Sequence, residues 1–72
     1  MEKDAPKWTW SFGTGSYIDI CKDGIACVHF SFNYELKFQI AWSVGYLDND
    51  DWDHVIACVK EAKAVLKKIK RI

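Results

Sequence analysis

The stretch WDHVIACVKEAKAVLKKIKRI, residues 52–72, decides how this chain is read. Its apolar residues fall at Trp52, Val55, Ile56, Val59, Ala62, Leu66 and Ile69. Steps of three and four place them on one face of a helix. Asp53, Lys60, Glu61, Lys67, Lys68 and Arg71 take the opposite face. Upstream, Asp48-Asn49-Asp50-Asp51 supplies an N-cap and sets carboxylates at the positive end of the helix dipole. Lys67, Lys68, Lys70 and Arg71 collect at its negative end. A helix over residues 50–72 follows, and its apolar face needs a wide surface to lie on.

Residues 7–46 supply that surface, preceded by a short polar arm, residues 1–6, that ends at Pro6. Trp8, Trp10 and Phe12 alternate with Thr9 and Ser11, the period of a strand. Gly13-Thr14-Gly15 turns the chain into a second strand, Tyr17 to Cys21. Lys22-Asp23-Gly24 leads to a third, Ile25 to Phe32, and Asn33-Tyr34-Glu35 to a fourth, Leu36 to Tyr46. A two-residue hairpin loop at Asp23-Gly24 is the strongest short-range signal. It sets Ile18 and Ile20 beside Cys27 and His29 and mixes the faces. A three-residue loop, Lys22-Asp23-Gly24, pairs Ile20 with Ala26 and Ile18 with Val28, and three-residue loops at the other two turns complete that solution. One sheet face then carries Trp8, Trp10, Phe12, Ile18, Ile20, Ala26, Val28, Phe30, Phe32, Leu36, Phe38, Ile40, Trp42 and Val44. The other carries Thr9, Ser11, Tyr17, Asp19, Cys21, Cys27, His29, Ser31, Lys37, Gln39, Ala41 and Ser43.

The expected fold is α+β: a four-stranded antiparallel β-meander with one C-terminal α-helix packed across its apolar face, ββββα, as a single domain over 1–72. One helix does not cover four strands. Either the sheet curls around it or a second subunit shares the apolar face.

Composition narrows the function. Half of the 72 residues are hydrophobic and four are Trp, which is enough to build a core and excludes disorder. The formal net charge is zero, whereas proteins that grip phosphates are usually basic. The charge is uneven, however: six of the ten Lys and Arg lie between Lys60 and Arg71. No apolar run has the length of a signal peptide or a membrane span. Three irregularly spaced cysteines make a poor disulfide framework, so Cys21, Cys27 and Cys58 are expected as free thiols in a cytoplasmic setting.

Sites that suggest chemistry fail on spacing. Asp48 to Asp53 looks like a calcium loop, but its sixth and twelfth positions are Asp53 and Val59, not Gly and Glu. Cys21 and Cys27 lack the short paired spacing of structural zinc. Cys27, His29 and Asp19 share a face in this reading, but a flat sheet encloses no substrate. No catalytic residues, metal site or cofactor are expected, and the chain is read as not an enzyme. The polar sheet face is more informative, with Tyr17 and His29 placed for stacking and Lys37 as its one fixed positive charge.

The order of elements resembles the transcriptional coactivator family typified by positive cofactor four. The family's helix entry has a Leu, four residues, a Trp and an apolar residue after two more. Leu47, Trp52 and Val55 stand at those spacings. The resemblance implies a homodimer that binds single-stranded DNA on curved sheets. The family's sheets are rich in Lys and Arg, and this one is nearly neutral.

The functional expectation is a small protein-binding module acting as a homodimer, of the kind a phage or mobile element encodes as an inhibitor of a host protein. The alternative is a single-stranded nucleic-acid-binding protein. In that case Tyr17 and His29 stack bases, and Lys37, Lys63, Lys67, Lys70 and Arg71 meet phosphates.

Overall fold

The computed structural model describes residues 5–70. Most of the expected arm, residues 1–4, lies outside the described residues, as do Arg71 and Ile72. The elements are β1 (Trp8–Phe12), β2 (Tyr17–Lys22), β3 (Ile25–Phe32), β4 (Phe38–Ser43) and α1 (Asn49–Lys70). The sheet is antiparallel in the order β1-β2-β3-β4, so each strand pairs with its sequence neighbour. This is the expected ββββα meander, with α1 laid on the face of Ile18, Ile20, Val28 and Phe30.

The registers differ from expectation, and the reason is physical. Between β2 and β3 the turn is the two-residue one, Asp23-Gly24, with Lys22 opposite Ile25. Both turn residues have positive φ, 54° and 83°, the twist that matches a hairpin. A β-bulge then restores the faces. Cys21 pairs with Ala26 but Ile20 pairs with Val28, so Cys27 is the extra residue. Its side chain turns into the core, 2% exposed, and its Sγ donates to the Ile20 carbonyl at 3.6 Å. Ala26, expected on the apolar face, is exposed instead.

A second bulge sits between β3 and β4. Phe30 pairs with Ile40 and His29 with Trp42, leaving Ala41 unmatched. Trp42 therefore moves to the face opposite the helix, and Ser43 turns inward opposite Val28. The other two loops are shifted by two places, which keeps every face. Phe12 pairs with Ile18, closed by Gly13 N–H donating to the Tyr17 carbonyl. Phe32 pairs with Phe38, and the Asn33 side chain accepts from the backbone N–H groups of Glu35 and Lys37. Leu36 holds φ 61° in that turn, a conformation costly for a branched side chain. Its burial at 9% exposure fixes it there.

The helix opens with a reciprocal cap. The Asp48 carboxylate accepts from the Asp51 N–H at 2.9 Å, and the Asp51 carboxylate accepts from the Asp48 N–H at 3.2 Å. The Asp51 carboxyl is held below the ordinary carboxylate range, first by that backbone N–H and then by the Lys22 ammonium 3.1 Å away. Val55, Cys58 and Ala62 are buried, with Trp52 and Val59 packed beside them. The expected stripe included Ile56 and Ile69, but both are exposed, and Cys58 takes the inward place. The cause is on the β1 side. The His54 ring stacks on Trp8 at 5.2 Å, and Trp10 Nε1 donates to Glu61 at 2.9 Å. These ties roll the helix toward β1, so that its stripe centres on Val55, Cys58 and Ala62. Twenty-two residues also make a helix of about 33 Å, longer than β1, so its last turns overhang and Ile69 stays exposed.

Ile18, Ile20, Val28 and Val55 are fully buried. Each contributes roughly 1.5–3 kcal/mol against the exposed chain. The helix packs on β1 and β2. No helix among the described residues is long and apolar enough to cross a membrane.

Candidate functional site

The open face of the sheet gathers the chemistry. Alternation along β2 and β3 sends Ile18, Ile20, Val28 and Phe30 to the helix, so Tyr17, Asp19 and His29 point away from it. Asp19 lies directly across from His29, and its carboxylate contacts His29 Nδ1. The Tyr17 ring stacks on the imidazole with centroids 4.8 Å apart and planes 17° apart. Trp42, 51% exposed, lies across from His29 on the other side. Asp19, His29 and Trp42 thus form a row over three strands, with Tyr17 diagonal to it. The carboxylate fixes the imidazole, and the imidazole carries the tyrosine.

Tyr17 and His29, both expected here, are brought together. Trp42 was missed, because only the Ala41 bulge turns it outward, and no residue type in Gln39-Ile40-Ala41-Trp42 announces a bulge. The remaining expected contacts lie elsewhere. Lys37 sits in the β3–β4 turn, with Nζ 3.9 Å from Glu35. Lys63 and Lys67 are on α1, across the sheet from Tyr17 and His29, and the Lys63 ammonium lies 6.0 Å from the Phe38 ring centre. Lys70 ends the helix, and Arg71 is outside the described residues. Stacking residues and helix lysines are therefore on opposite faces. The strand residues of the open face, among them Thr9, Ser11, Tyr17, Asp19, His29, Ser31, Gln39 and Trp42, include no Lys or Arg.

The set Cys27, His29 and Asp19 is split. The Asp19–His29 contact forms, but Cys27 is inside the core, where burial pushes its thiol pKa up and keeps it a thiol rather than the reactive thiolate. Cys58 is buried too, and its thiol is raised for the same reason. All three cysteines are free. Among the described residues there is no cavity and no group of three His, Cys, Asp or Glu that holds a metal.

Compared with family models, curated proteins and solved structures, the chain has no match.

Proposed function

We propose that this chain is a small non-enzymatic module that binds another protein through its open sheet face. The carrying observation is the exposed aromatic row of Tyr17 stacked on His29 with Trp42 across from it, braced by Asp19. Rigid aromatic rings with a polar tip are enriched at the centres of protein interfaces. A macromolecule needs no cavity to meet them, and a small substrate does. The nucleic-acid reading draws support from the same two stacking rings. Among the described residues the strands place no Lys or Arg beside those rings, and phosphate contact carries most of that affinity.

The test compares the wild type with a Tyr17→Ser, Trp42→Ser variant, both immobilised. Proteins from the source lysate held by the wild type and released by the variant support the reading, provided circular dichroism of the two is the same. Equal retention overturns it. A labelled oligothymidylate is titrated alongside at low salt. Binding that weakens with salt and disappears in the same variant replaces the protein reading with the nucleic-acid one.

A further inference from the structure

The helix packs on β1 and β2 rather than on the β4 side of the sheet's apolar face. His54 and Glu61, seven residues apart, mark the flank of α1 that meets β1. Ile56 and Lys63, also seven apart, mark the opposite flank, and the contact of Lys63 with Phe38 shows that it looks toward β4. Ile56 is 50% exposed on that flank, and Ile40 is 49% exposed on the same sheet face as Phe38. Val59 and Val44 are partly buried against the core. The result is an apolar strip bounded on one side by the helix and on the other by the edge strand. Lys60, Lys63 and Lys67 stand along its helix side, with Asp53 as the acid among them.

We infer that this strip docks an acidic amphipathic helix of another protein. An amphipathic helix laid in a groove buries an apolar stripe and sets its flanking charges against the rim. Here the border of the strip calls for carboxylates, because three lysines stand along its helix side. A second copy of this chain fits less well, because the flank it would bring carries the same Lys60, Lys63 and Lys67 in place of carboxylates. The inference concerns the helix-side face and stands independently of the open-face reading.

The probe is a labelled synthetic helical peptide with leucines along one face and glutamates on its flanks. A matched peptide has lysines in place of the glutamates. Fluorescence anisotropy is measured with the full chain, and sedimentation gives its oligomeric state. The expected result is that the glutamate peptide binds at least about tenfold tighter than the lysine peptide, and that salt narrows the gap. Ile56→Asp abolishes binding. Its half-exposed position preserves the fold, which circular dichroism checks. The Lys60→Glu, Lys63→Glu, Lys67→Glu variant reverses the preference. Equal binding of both peptides, no binding of either, or loss on Trp42→Ser with Ile56→Asp unaffected overturns the inference. A stable dimer that Ile56→Asp converts to monomer also overturns it, and makes a second copy the occupant.

Discussion

The two flanks of α1 face two halves of one sheet, and they are held differently. Toward β1 there is a ring stack, an indole hydrogen bond and, at the helix start, the Lys22–Asp51 ion pair. Toward β4 the packing is apolar, through partly buried Val44 and Val59, with the Lys63 ammonium over Phe38. Apolar residues abound on both halves, so burial alone does not choose between them, since the hydrophobic effect is non-directional. The choice is made by polar tips on large rings. Trp8 and Trp10 offer a flat face and an N–H, and His54 and Glu61 are spaced to meet both. Directional contacts on one flank leave the other uncovered.

The strongest challenge to this contrast is a core change shared by both halves. Ile20→Ala, at the centre of the sheet, should lower stability by about 3 kcal/mol in urea denaturation. A loss below about 1 kcal/mol would mean that the core is not where the burial places it. Next comes the helix start. Asp48→Ala should cost about 1–2 kcal/mol by removing one half of the reciprocal cap. The same cap makes stability pH-dependent. Because the folded Asp51 carboxyl lies below its ordinary value, its contribution is present above that ordinary value. It disappears as pH falls through the lowered one. Asp51→Asn should therefore flatten the acid limb of a stability profile, and an unchanged limb would refute the assignment.

Smaller effects sharpen the comparison between the flanks. Trp10→Phe keeps the ring but removes the donor to Glu61, and should cost about 1 kcal/mol. On the opposite flank, Ile56→Asp should change stability by only about 0.5 kcal/mol, because the side chain has little to lose. If thermal melts put these two substitutions in the reverse order, the helix is seated on β4 rather than β1.

Much of the architecture was legible. Alternation in Trp8–Phe12 and Ile25–Phe32 named strands, and the spacing from Trp52 onward named the helix, because burying one face imposes a period. The registers were not legible. Asp23-Gly24 is a strong hairpin signal, but accepting it required one unmatched residue in β3, and alternation gives no mark of where an extra residue goes. The same gap hid the open site. Tyr17 and His29 were placed correctly by period two, whereas Cys27 is itself a bulged residue and Trp42 follows one, and both changed faces. Helix rotation was half legible: Val55 and Ala62 were assigned inward, but Cys58 replaced Ile56 because the ties to Trp8 and Trp10 act across some fifty residues of chain.

Ala41 also bears on the border of the sheet. Neither β1 nor β4 carries a charge or a proline, and both border the sheet. An unmodified border of that kind offers a row of unpaired backbone groups, on which like chains stack into insoluble ladders. The extra residue in β4 breaks the even spacing of that row and bends it. Among the described strands this is the one device of its kind on a border, and β1 relies on the helix ties beside it. The bulge that displays Trp42 therefore also works against aggregation.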